Sequence, residues 1–208
     1  MKTELINWKA IFIFLLIITF ALFFFFPFYF MVSSSFKHPL DSSVYPPIIF
    51  NFEPTLKNYT TIFKKYPMAT YFINSFIVAT FATLVSMVLA IPASYGMERL
   101  ISKNRERVAY MFLTMQLIPP ISMVFALFWY ANFFGILGTY WLLVIGYTLW
   151  NVPYAIWLTR GFFTTIPKEL EEAAFVDGAS RIWVLRKIII PLTKPGIIAA
   201  TIFIFIGA

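Results

Sequence analysis

Long intervals without a charged side chain constrain this chain more than any other feature. Residues 10–36, 66–97 and 108–159 carry none, and after Lys194 the chain is again uncharged to Ala208. A charge at the centre of a bilayer is costly, and a helix needs about 20 apolar residues to cross one. The interval 108–159 is too long for one crossing and reads as two, folded at a turn near Gly135 and Gly138. The spacing therefore predicts spans at 10–32, 71–95, 108–130, 140–159 and 191–208. Around them lie a tail at 1–9, an outer loop at 33–70, an inner loop at 96–107, an outer turn at 131–139 and an inner loop at 160–190. The expected fold is all-α, a polytopic membrane helix bundle with five visible spans.

Composition supports that class. Only 12% of residues are charged and 61% are hydrophobic, whereas soluble domains carry about 25% charged residues. The basic residues then orient the chain, because inner loops collect Lys and Arg. With the N-terminus inside, twelve of the 16 fall on inner segments, from Lys2 and Lys9 to Lys194. The outer loop holds Lys37, Lys57, Lys64 and Lys65, and the outer turn holds none. Trp129, Tyr130, Tyr140 and Trp141 flank that turn as interfacial anchors. The net charge of +7 thus reports topology and calls for no nucleic-acid partner.

Several chemistries are excluded. The chain has no cysteine and a single histidine, His38, so thiol catalysis, a cysteine or histidine metal site and an ordinary triad are not expected. None of the eight glycines precedes a lysine, so the phosphate-binding loop of a nucleotide hydrolase is missing. Energy-dependent work would need another subunit to hydrolyse ATP. No catalytic residue, cofactor or metal is expected on this chain. The first four spans also lack carboxylates, imidazoles and amines, which argues against ion coupling. Their neutral polar groups are Asn74, Ser75, Gln116 and Asn151. Asn74, Gln116 and Asn151 suit either a pathway for a neutral, hydroxyl-rich solute or hydrogen bonds between helices. Pro27, Pro92, Pro119, Pro120 and Pro153 fall within the spans, where each removes a donor and predicts a kink. At Pro119-Pro120 that kink reads as a pivot, a cavity or simple packing.

The segment 160–195 breaks the hydrophobic monotony. Glu169, Glu171, Glu172 and Asp177 cluster there, four of nine acidic residues. Pro167 followed by acidic residues predicts a helix start. Helical spacing puts Ala174 and Gly178 on one face, small enough for another backbone to approach. The physical reading is a short surface helix, offered to a partner or merely solvated.

The order of residues goes further. Glu172-Ala173-Ala174, three residues, Gly178, nine residues, Ile188, one residue and Ile190-Pro191 resembles the EAA loop of binding-protein-dependent ABC importer permeases. Ile190 stands where that pattern has Leu. The run Pro167–Ser180 (PKELEEAAFVDGAS), SSSFK at 33–37, NS at 74–75, QLIPP at 116–120 and GILGT at 135–139 look like the sugar-importer branch. The pattern is most similar to the second, smaller permease of the maltose-type importers. The resemblance implies a type I importer permease in a prokaryotic cytoplasmic membrane. Its expected partners are a second permease, two copies of an ATPase that bind ATP and Mg, and an extracytoplasmic solute-binding protein. It implies that Glu171, Glu172, Ala173, Ala174, Asp177 and Gly178 form a coupling helix that docks on the ATPase and drives alternating access. Such permeases carry six spans, so the resemblance also predicts a truncated chain whose sixth span is absent. A membrane scaffold that binds an ATPase without transporting is the alternative.

Overall fold

The computed structural model describes residues 8–101 and 103–208. Most of the predicted tail 1–9, with its Lys2, lies outside the described residues. Nine helices carry the fold among those described: α1 Trp8–Ser35, α2 Lys57–Lys65, α3 Met68–Leu100, α4 Arg105–Met115, α5 Pro120–Phe133, α6 Tyr140–Phe163, α7 Glu169–Val176, α8 Arg181–Leu192 and α9 Lys194–Ile206. Three are long and apolar enough to cross a membrane (α1, α3 and α6), and the bent pairs α4–α5 and α8–α9 bring the number to five.

The described residues up to Tyr71 and those from Phe72 onward form two compact units. In the first, the segment after α1 is tied down rather than loose. Asn58 on α2 donates from Nδ2 to the carbonyls of Ser35 (3.0 Å) and Lys37 (2.7 Å), two acceptors left open at the end of α1. Tyr59 shares a 2.7 Å hydrogen bond with Ser35, and Tyr29 donates to the carbonyl of Ile49. Lys37 is buried, with its ammonium over the rings of Phe30 (4.9 Å) and Phe52 (5.2 Å). Aromatic faces attract a cation, which makes this burial tolerable. The predicted outer loop 33–70 therefore contains a helix and a packed lysine.

In the second unit α3, α4, α6 and α9 pack through small side chains. Ala90, Ala109, Ala155 and Ala200 are buried together with Met87, Met97, Ile156 and Ile204. Between apolar helices in lipid, close packing is the main attraction, and alanine lets backbones approach. Ser94 on α3 bonds to Thr159 (2.5 Å) and to the carbonyl of Ile156 (3.1 Å) on α6. Gly196 in the first turn of α9 faces the ring of Phe162, and a methyl group there would overlap the ring. Gly196→Ala should cost about 1–3 kcal/mol, as overpacking does, read as a lower thermal midpoint of the detergent-solubilised chain. An unchanged midpoint would show that Phe162 swings aside freely.

The prolines act unequally. Helices run through Pro27, Pro92 and Pro153 unbroken, whereas the chain breaks at Pro119-Pro120. A residue before proline is pushed out of the helical region, and Pro119 is extended at ψ 132°. Pro120 then starts α5, and α4 and α5 meet at 80°. In α8 the turn Leu185–Ile189 widens to a π-helix, with the Ile190 N–H reaching the Leu185 carbonyl. A wider turn ahead of Pro191 accommodates the ring that an α-helix would force against a carbonyl. α8 and α9 are bent by 82°.

Candidate docking site on α7 and its anchors

The short helix α7 is shaped by its ends. Glu169, Glu171 and Glu172 occupy the first turn, where the helix dipole favours negative charge. At the far end Gly178 has φ +82°, its N–H donates to the Phe175 carbonyl (3.0 Å), and the Ala179 N–H donates to the Ala174 carbonyl (2.9 Å). Those two bonds make a Schellman cap, in which the residue after the cap must be left-handed. Glycine adopts that conformation without the Cβ penalty. Ser180 then accepts from the Trp183 N–H and caps α8. A helix, a two-bond stop and a new cap follow within a few residues.

This corner creates a groove of about 720 Å³ lined by Leu170, Ala173, Ala174, Asp177, Gly178 and Trp183, among others. Four of the six residues singled out in the sequence meet there: Ala173, Ala174, Asp177 and Gly178. Glu172 is exposed on α7 outside the groove lining. Nothing lies within 4 Å of where a Cβ on Gly178 would sit, so that position faces open space.

Glu171 differs from the other five. It is 3% exposed, and both of its carboxylate oxygens are engaged. Arg99 donates from Nε to Oε1 at 2.5 Å, and the Tyr95 hydroxyl donates to Oε2 at 2.9 Å. The same guanidinium donates from a second nitrogen to the carbonyls of Phe163 (3.2 Å) and Ile166 (2.9 Å), at the end of α6. Sequence spacing placed Glu171 beside Glu172 without showing that one turns inward and the other outward. Arg99 and Tyr95 were also missed.

A second ionic cluster sits at the ends of α3, α4 and α6. Buried Glu98 accepts from Arg105 (3.0 Å) and from Arg160 (3.0 Å), and Arg160 also pairs with the exposed Glu106. α3 is 33 residues long, about 50 Å at 1.5 Å per residue, against a hydrocarbon core of about 30 Å. Its charged end therefore has length to project past the apolar layer. The one sequence clue was a lone Glu98 closing an uncharged interval ahead of four basic residues.

Among the described residues no hydrogen bond joins the three polar residues named for a pathway to one another. Asn74 is half-buried on α3. Gln116 donates to the Trp150 carbonyl (2.8 Å), tying the α4–α5 break to α6. Asn151 is buried, and its Nδ2 lacks a hydrogen-bond partner among the described residues. Buried hydroxyls at Thr80, Thr83 and Ser86 on α3 and Thr148 on α6 share that condition. Sequence reasoning passed over these hydroxyls, because a serine or threonine in an apolar helix usually satisfies itself on its own backbone.

Comparison with known proteins points one way. The family described as binding-protein-dependent transport system inner membrane component matches residues 90–208, more than half of the chain. The sulfoquinovosyl glycerol transport system permease protein of Agrobacterium fabrum is 31% identical over 88% of this chain and 64% of its own length. The trehalose/maltose transport system permease protein of Thermococcus litoralis is 32% identical over 88% of this chain and 66% of its own. The diacetylchitobiose uptake system permease protein of Streptomyces coelicolor is 33% identical over the same shares. The chain thus spans just under two thirds of the length of these relatives. In fold, it is similar to a chain in the crystal structure of a bacterial ABC transporter involved in alginate import. The TM-score is 0.76 at 20% identity, covering 99% of this chain and 72% of that one. With its apolar helices, its short capped α7 and this match, the chain is a multi-pass membrane protein that belongs to the binding-protein-dependent transport system inner membrane component family.

Proposed function

We propose that this chain is a permease subunit of an ATP-driven importer for a sugar or a related neutral solute, working by alternating access. The observation that carries the reading is the open groove beside α7, framed by small residues with Asp177 on its lining and Glu172 nearby. A concave site with a small-residue floor takes a protruding partner, and exposed carboxylates suit arginines on it. The relatives named above are permeases of carbohydrate transport systems, which supports the solute class. The partner assembly is a second permease, two copies of an ATPase and an extracytoplasmic solute-binding protein. ATP and Mg bind on the ATPase. The N-terminus lies on the cytoplasmic side of a prokaryotic membrane, so that the α7 groove faces the ATPase.

The test is co-purification of the full-length chain with an ATPase subunit of a binding-protein-dependent importer from the same organism, followed by ATP hydrolysis in proteoliposomes with and without loaded binding protein. Association with hydrolysis stimulated by the binding protein is the expected result. Association without stimulation favours the non-transporting scaffold, and no association defeats both.

A further inference from the structure

We propose that Glu171 is a positioning residue rather than a docking contact: with Arg99 and Tyr95 it locks α7 to the ends of α3 and α6, so that a push on α7 moves all three helix ends together. The inference rests on the permease reading above and assigns a transmitting element within it.

An isolated helix of eight residues is far below the length that is stable in water. Pushed by a partner, such a helix would fray or slide unless something held it. α7 is held at both ends. At its start the Glu171 carboxylate is held by Arg99 on one oxygen and Tyr95 on the other. At its finish Ala174 and Ala179 pack on buried Tyr95, Phe163, Val184 and Ile189. Tyr95 serves both anchors, its ring in the apolar cluster and its hydroxyl on Glu171.

Arg99 is the hub. It is the last basic residue of α3, its side chain is 7% exposed, and its guanidinium meets α7 on one side and, on the other, the carbonyls of Phe163, which ends α6, and of Ile166 just beyond it. A guanidinium offers donors in a fixed planar fork, so these contacts set distance and angle together. A lysine in that place would act as a single point of charge. A buried ion pair adds little net stability over apolar packing of the same volume, and its best-attested use is to specify an arrangement. Glu171 is also buried, with each oxygen already engaged, so it does not face a partner's arginine. Docking is thereby left to Glu172, Asp177 and the groove, and transmission to Glu171.

The absence of cysteine makes a direct test available. Spin labels on Ala93→Cys of α3 and Val176→Cys of α7, both exposed, report the distance between the two helices in the full-length chain. With the anchor intact the distance distribution is expected to be narrow. Arg99→Ala and Glu171→Gln should widen it at least about twofold, as local opening does. Tyr95→Phe, which removes one hydroxyl and keeps the ring packed, should widen it less. Unchanged widths in all three variants would overturn the proposal.

The second measurement uses the complex with its ATPase and follows the change in the Ala93 label on adding a non-hydrolysable ATP analogue. Tyr95→Phe and Glu171→Gln should retain the ATPase yet cut that response by about tenfold, within the range of coupling changes along a contact network. A retained response, or loss of ATPase binding in both variants, would overturn transmission and leave a merely structural anchor. Capture of no ATPase by the unmodified chain would defeat the permease reading, and the label widths alone would then decide the anchoring.

Discussion

Replacing Arg160 with methionine is expected to lower the stability of the solubilised chain by about 3 kcal/mol. Methionine keeps an unbranched apolar stem but removes the charge facing Glu98. The Glu98 side chain is only 4% exposed, and Arg160 reaches its Oε2 at 3.0 Å. Stripping one partner from a buried pair leaves the other as an uncompensated charge, the costly half of the asymmetry. The loss falls at the low end of the roughly 3–5 kcal/mol that breaking a buried pair costs, because Arg105 still reaches Oε1 at 3.0 Å. In a chain of this size it corresponds to about 6–12 °C in thermal midpoint.

The control is the double variant Glu98→Leu with Arg160→Met, which removes both charges and fills the space. It should recover most of the lost stability, since an apolar replacement of a buried pair is often neutral. A double variant no better than the single would show that Arg160 contributes packing or its contact with Glu106, not charge balance with Glu98.

The other large effect is expected at Gly178, on docking rather than folding. Gly178→Asp should fold, because Asp and Asn tolerate the left-handed region better than other residues and no atom crowds the new Cβ. Its carboxylate would project into the groove beside Asp177. On the permease reading a partner fills that groove, so the variant buries an unpaired charge in the contact. A cost of about 3 kcal/mol is more than 100-fold in affinity. The expected result is normal membrane insertion with ATPase association and uptake lost. Gly178→Asn supplies a neutral side chain of the same shape and should lose less. Gly178→Val tests the other property, since a β-branched residue at positive φ is strained and should lower stability itself. Unchanged association and uptake in Gly178→Asp would exclude the groove as the docking surface.

Much of the corner around α7 was legible from local order. The Pro167 start, the acidic first turn and Gly178 followed by Ser180 are properties of consecutive residues, and caps form from consecutive residues. The reason given for Gly178, however, changed. Spacing alone made it a small residue for a close neighbour, whereas the structure makes it a left-handed cap with open space beyond. The solute candidates fared differently. Gln116 spends its amide on the Trp150 carbonyl, while Asn151 has a donor without a partner among the described residues. Both carry a side-chain amide and both lie eight residues from the inner end of their expected spans. What separates them is position in the fold, since Gln116 caps α4 at the break before α5 whereas Asn151 sits on the buried side of α6, and a helix apolar on all sides does not encode which side that is.

The sequence by itself determined the membrane class, the number of apolar segments and the position of the loop that breaks them. It can do so because the cost of placing a charge in lipid applies residue by residue, whatever the neighbours are. Only the tertiary structure decided which charges pair. Arg99 meets Glu171 across 72 positions, and Arg160 meets Glu98 across 62. It alone turned Glu171 inward and left Glu172 exposed, one position apart on the same helix. Such pairings depend on how helices are rotated against each other. In this chain that rotation is set by alanine, glycine and hydroxyl side chains packed between α3, α6 and α9, whose effect exists only once the helices have met.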